Sequence, residues 1–162
     1  MRYTCCIRML NSLLRWLVNS PWSHWINKYE WVFPAIQSVH FIGFTVSIGT
    51  IAMVDLRLLG FGMRRQTTDE LAADLDRWTL LGIAMMLVTG FLMFSTDAVT
   101  YHNNPSFQFK MTCLMVALVF HFTLHRRAVR PGAGAAGAKL AAATSLLLWT
   151  TVLAAGRMIA FV

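Results

Sequence analysis

The residues best suited to chemistry are two histidines in strongly apolar surroundings. His40 lies between Val32 and Val54, a stretch without Asp, Glu, Lys or Arg, and His121 lies in a second uncharged stretch. An ionisable side chain in such a setting is costly unless it has a partner. Neutral imidazole is a common metal ligand, and b-type haem is held by histidines between helices. The pattern predicts bound haem b, with His40 as axial ligand and His121 as the candidate second ligand.

The predicted depths of the two histidines in the membrane argue against both of them binding the same iron. His40 is expected roughly 13 Å from one membrane boundary and His121 roughly 21 Å from the same boundary, at 1.5 Å per helical residue. One haem iron would need both imidazoles on a single line, so tilted helices or a different second ligand are required. The competing interpretation is that each imidazole is simply hydrogen-bonded to a neighbouring helix.

Other charged and polar groups suggest further sites. Arg157 and Lys110 fall near the same membrane boundary, where they would pair with haem propionates or extend to the interface. His121 and His125 are four residues apart, which leaves a zinc or copper site open as an alternative. Asp55 and Arg57 are expected to form an ion pair or an interface anchor at the other boundary.

The elements that must position these residues are membrane-spanning helices. The chain has 162 residues, of which 57% are hydrophobic and 13% charged, against about 25% charged in soluble domains. Apolar runs of about 20 residues favour helices over a barrel. The predicted fold is all-α, an up-down four-helix bundle with spans at about residues 31–59, 78–96, 107–125 and 138–161. Inward stripes are predicted on all spans, including Gln37, His40, Gly43, Ser47 and Thr50 on the first.

Residues 1–30 are predicted to form an N-terminal arm outside the bundle of residues 31–162. Leucines at positions 10, 13, 14 and 17 recur at helical spacing, and Ser20-Pro21 is a helix-start signal. Three tryptophans and a tyrosine follow within Trp22–Trp31, which is typical of a membrane interface. The arm is therefore expected to be an interfacial amphipathic segment of two short helices.

The net charge of +7 is attributed to the membrane rather than to nucleic acid. One set of basic residues lies on the side of the membrane where the first span ends: Arg57, Arg64, Arg65, Arg77, Arg126, Arg127, Arg130 and Lys139. A smaller set flanks the other side: Arg2, Arg8, Arg15, Lys28 and Lys110. The positive-inside rule then places the first set in the cytoplasm and both termini outside a bacterial inner membrane.

Four segments carry a resemblance to a known family. They are Val39–Gly49 (VHFIGFTVSIG), Asp55–Gly60 (DLRLLG), Phe107–Lys110 (FQFK) and Gly156–Phe161 (GRMIAF). Together they resemble a bacterial family of four-span inner-membrane proteins with no assigned activity, which implies the architecture but no chemistry. The inward histidine with basic residues nearby is more distantly similar to small cytochrome b-like and copper-resistance D-type membrane proteins.

Three functional hypotheses follow. The first is a haem b-binding electron-transfer subunit, with quinone or another subunit as redox partner. The second is a cofactor-free accessory or scaffold subunit that contacts lipid and other membrane subunits. The third is a small transporter of metal ions or protons that uses the histidines. No nucleophile with an adjacent base, phosphate loop or carboxylate pair is apparent, so an electron-transfer or accessory role is expected rather than a stand-alone enzyme.

Overall fold

Helices dominate the computed structural model, which describes residues 2–61, 67–129 and 134–158, with side chains from residue 9 onward. The helices are α1 (Arg2–Val18), α2 (Pro21–Lys28), α3 (Val32–Leu59), α4 (Thr68–Thr96), α5 (Ala98–Asn103), α6 (Pro105–Phe120), α7 (Arg126–Val129) and α8 (Ala135–Met158). A π-helical turn, His121–His125, joins α6 to α7. Four segments are long and apolar enough to span a membrane: α3, α4, α6 through α7, and α8. The predicted all-α membrane bundle is confirmed.

Local sequence signals set the helix ends. Thr67 caps α4 in a capping box with Glu70, whose carboxylate accepts from the Thr67 backbone N–H at 3.0 Å. The Asn104 side chain accepts from the Ser106 N–H at 2.8 Å, and Pro105 occupies the first turn of α6. Gly60 ends α3 with φ of 97°, a left-handed conformation that glycine adopts without steric cost.

The second span is longer than the sequence pattern indicated. The span is predicted at about residues 78–96. Instead, α4 runs unbroken from Thr68 to Thr96. The reason is that no proline or glycine interrupts the polar first turns, so the backbone continues from its cap into the apolar segment. The predicted end of the fourth span at residue 161 lies outside the described residues, as do Arg64, Arg65 and Arg130.

Cross-helix contacts show that α3 and α4 are antiparallel. Partners of His40, Gly43 and Thr50 on α4 fall in reverse order, at Thr89, Gly82 and Thr79 respectively. The closest approach is at the two glycines: a Cβ atom on Gly82 would lie 2.7 Å from the Gly43 carbonyl oxygen. Small residues allow such approach between membrane helices.

The bundle is packed unevenly around α3 and α8. Helix α3 packs against both α4 and α8, and α8 packs against α6, whereas α4 and α6 have little contact with each other. The central core lies between α3, α4, α6 and α8: Ile51, Met86, Leu114, Ala117, Trp149 and Val152. The face between α4 and α6 is therefore the least closed side of the bundle.

The N-terminal arm is docked on one end of the bundle, which we call the arm end. Ser20 caps α2 and Pro21 begins it, as predicted. The Ser23 hydroxyl donates to the carbonyl of Ser95 at 3.1 Å, and the Asn27 amide donates to that of Thr96 at 3.3 Å. Both acceptors belong to the last turn of α4, where carbonyls have no partner within the helix. The arm therefore serves as a cap for α4. We call the opposite end, where α3 ends and α4 begins, the basic end.

Candidate functional site

The first polar contact inside the bundle joins His40 to Thr89 in its arm-end half. The Thr89 hydroxyl lies 2.6 Å from the carbonyl oxygen of Met85, to which it donates, and 2.9 Å from His40 Nδ1. A hydroxyl has a single hydrogen, so with that hydrogen on Met85 the Thr89 oxygen accepts from His40 Nδ1–H. This tautomer leaves the lone pair of His40 on Nε2. The predicted cross-helix hydrogen bond is therefore present.

Gly90 lets the His40 ring approach the backbone of α4. A Cβ atom at position 90 would lie 3.2 Å from His40 Cε1, closer than most side-chain contacts. The ring is thus held on two sides, by the hydrogen bond to Thr89 and by contact with Gly90. An imidazole whose Nδ1–H is fixed by a neighbour and whose Nε2 is free has the arrangement usual for a metal-binding histidine.

Lys110 lies near this histidine without a carboxylate partner. Its Nζ would be 3.5 Å from a Cβ atom at Gly156, so the ammonium group lies against α8. It is close enough to His40 for its charge to act on the imidazole. Among the described residues, neither ion pair involves Lys110. Arg157, the other predicted cation, is exposed on the surface of α8.

A second polar contact lies toward the basic end, and the sequence did not predict it. His125 Nε2 is 2.6 Å from Asp55 Oδ1, with side-chain exposures of 3% and 0%. The His121 ring stacks on that of His125, with centroids 5.1 Å apart and planes at 25°. We call these three residues the Asp55 cluster. Asp55, which was expected to form an ion pair with Arg57 or an interface anchor, is fully buried, and its carboxylate pairs with His125.

Both histidines at the ends of the π turn are buried, whereas Leu124 within it is 55% exposed. The predicted common face of His121 and His125 is therefore an inward one. Single π turns within α-helices occur frequently at functional sites.

His40 and His121 are not brought together. Asp55 follows His40 on α3 by a distance of about 22 Å, at 1.5 Å per residue. Because His121 belongs to the Asp55 cluster, the two histidines are separated by far more than one iron atom can bridge. On this geometry His121 is not placed to be the second ligand of an iron bound at His40. Among the residues that the structure describes, no three histidine, cysteine or carboxylate side chains are grouped as metal ligands.

These features define a multi-pass helical membrane protein with two separate polar sites inside the bundle. The chain belongs to a family of unknown function (DUF6644), whose family model matches residues 12–162. Membership agrees with the predicted resemblance to a membrane family without assigned activity. No curated protein and no solved structure matches the chain. The more distant likeness to cytochrome b-like proteins stays a prediction.

Sequence reasoning identified most participants but not their pairing. Thr89 and Ser145 were placed on inward faces, and His121 and His125 on a common face. The pairing of Asp55 with His125 joins residues far apart in sequence, and no local pattern reports such a contact. The one available signal was the position of Asp55 immediately after a long uncharged stretch, where a carboxylate needs a partner.

Proposed function

We propose that the protein is a haem b-binding, electron-transfer subunit of a bacterial inner membrane, with His40 as an axial ligand. The observation that carries the proposal is the hydrogen bond from His40 Nδ1–H to Thr89, which leaves Nε2 as a fixed lone-pair donor. Such a second hydrogen bond sets the tautomer and orientation of ligating histidines. Haem b held there would supply one-electron transfer, with quinone or another subunit as partner.

The surroundings of His40 are consistent with an anionic, flat ligand. Helices α4 and α6 have little direct contact, so the bundle is least closed on that side. Lys110 supplies a positive charge near His40 that no described carboxylate neutralises. A carboxylate of the ligand would form a charge-assisted hydrogen bond with it in this low-dielectric setting. Arg157 is exposed on α8, so it would bind a carboxylate of the ligand only from the surface of the bundle.

Absorption spectra of the full-length protein, purified in detergent after expression with ample haem, test this proposal. We expect Soret and α bands in the reduced-minus-oxidised spectrum and their loss in His40→Ala. Thr89→Val keeps the shape of the side chain but removes the acceptor, so haem affinity should fall by about 10-fold or more. His24→Ala is the matched control, because His24 is exposed on α2 and touches neither site.

Two further variants sharpen the test. Lys110→Ala should release haem faster without abolishing the bands, and His121→Ala should leave the spectrum unchanged. A folded, monodisperse protein without a Soret band would refute the proposal and favour the cofactor-free accessory subunit. Wild-type bands that persist in His40→Ala would refute the assigned ligand.

We further propose that the basic end faces the cytoplasm and that both termini are outside, since basic residues concentrate near that end. In a variant lacking the three native cysteines, Gly134→Cys should resist an impermeant thiol reagent in intact spheroplasts. Asn103→Cys, an exposed position in the last turn of α5, should react. Reaction at position 134 together with protection at position 103 would reverse the topology.

A further inference from the structure

The Asp55 cluster contains more buried polar atoms than it has partners for. Asp55 Oδ2, His125 Nδ1 and both ring nitrogens of His121 are buried and have no hydrogen-bond partner among the described residues. A neutral imidazole always has one N–H donor and one lone pair, so His121 leaves both a donor and an acceptor unsatisfied. Buried polar atoms in this number indicate that the site has a polar ligand.

Ser145 on α8 adds one more unsatisfied buried polar atom to those of the Asp55 cluster. Its Oγ is buried and likewise has no hydrogen-bond partner in the described part of the chain. Lys110 on α6 lies against Gly156 on α8, and the two helices are antiparallel. Lys110 and His121 are as many residues apart along α6 and into the π turn as Gly156 and Ser145 are on α8, in the opposite chain direction. The Ser145 hydroxyl is therefore level with His121, and α8 packs against the π turn.

The chemistry of this set fits water. A buried water molecule needs two to four polar partners, and the unsatisfied atoms comprise donors and acceptors from α3, the π turn and α8. Histidine is also the side chain that exchanges protons near neutral pH. Three metal ligands are not grouped in the described part of the chain, whereas a carboxylate hydrogen-bonded to an imidazole is a pair that can share a proton.

We propose that the Asp55 cluster is a hydrated proton-binding site near the basic end of the bundle. A proton from bulk water adds to the Asp55–His125 pair, so the pair gains one positive charge and no electron is transferred. Bound water links the pair to His121 and to Ser145. This inference stands independently of haem binding at His40, which belongs to the other half of the bundle.

The charged groups that face the cluster come from neighbouring elements. Asp76 of α4 and Arg126 of α7 act electrostatically on His121, and they pair with each other at 2.5 Å. Helix α8 contributes the neutral Ser145, and Lys139 on the same helix is exposed. The opposite charges of Asp76 and Arg126 largely offset each other, which leaves Asp55 as the anion of the cluster, in contact with the His125 imidazole.

Nitrogen-15 NMR of the full-length protein with labelled histidine tests the inference directly. We expect the His125 and His121 ring signals to respond to pH in one common step, because the two rings stack on each other. Infrared difference spectra across that step should contain a carboxyl band. In Asp55→Asn, which keeps the size of the side chain, the band should vanish and the histidine step should move by about one pH unit or more.

Asp76→Asn is the matched control, because Asp76 is a half-exposed carboxylate beside the same helices. It should retain the carboxyl band and the histidine step. Constant His125 and His121 signals across the whole pH range in the wild-type protein would overturn the inference, and that measurement requires no variant to fold. A carboxyl band that persists in Asp55→Asn would overturn it equally.

Discussion

Replacing Asp55 with alanine should lower the free energy of unfolding by about 3 to 5 kcal/mol, the range for removing one partner of a buried pair. The reason is that His125 Nε2 would remain buried without Asp55 Oδ1, its one hydrogen-bond partner among the described residues, which is 2.6 Å away in the native protein. At a side chain that is 3% exposed, lipid offers no acceptor, and a water molecule in the space left by the carboxylate would be an uncharged and weaker acceptor than the anion. Denaturation by SDS in mixed micelles, followed by far-ultraviolet circular dichroism, measures this loss.

The chain offers an exposed ion pair as a control. Arg126 and Asp76 are in contact at 2.5 Å, but their side chains are 42% and 43% exposed. Asp76→Ala should therefore cost only about 0.2 to 1 kcal/mol. The double variant Asp55→Ala/His125→Ala should be less destabilised than the sum of its two single variants, because the orphaned imidazole is gone. Equal losses for Asp55→Ala and Asp76→Ala would contradict the argument.

Gly82→Ala should destabilise the bundle by about 1 to 3 kcal/mol, the usual cost of overpacking. The added methyl carbon would lie 2.7 Å from both the Gly43 carbonyl oxygen and the Ser47 backbone nitrogen. Backbone atoms of α3 cannot turn aside as a long side chain can, so α3 and α4 must separate. The same denaturation experiment measures the effect. Separation would also lengthen the hydrogen bonds that Thr50 and His40 make across this interface.

Gly49→Ala is the matched control on α3. A Cβ atom at Gly49 would meet nothing within 4 Å, and alanine favours a helix by about 1 kcal/mol over glycine. This variant should be neutral or slightly more stable than the native protein. A destabilisation as large as that of Gly82→Ala would show that glycine is needed for a reason other than close packing.

The sequence by itself determined the architecture and carried the capping signals of several helices. The apolar stretches are long enough to span a membrane, and lipid requires backbone groups to be satisfied within each helix. Capping signals at Ser20, Thr67 and Asn104 act over three residues, so a local pattern reports them completely. The periodic small and polar residues likewise indicated which face of each span is buried, as Gly43 and Ser47 illustrate.

Only the tertiary structure decided which polar residues meet. Helical spacing fixes the direction in which a side chain points. It does not fix which residue of a neighbouring helix lies at the same depth in the membrane, because that depends on the register and tilt of the helices and on the π turn. For that reason His40 pairs with Thr89 rather than approaching His121, and Asp55 pairs with His125. The arm was predicted as two helices, but its role as a cap for α4 depends on contacts between Ser23 and Ser95, far apart in sequence. Long-range contacts of this kind follow from the packing of whole helices, which no short stretch of sequence encodes.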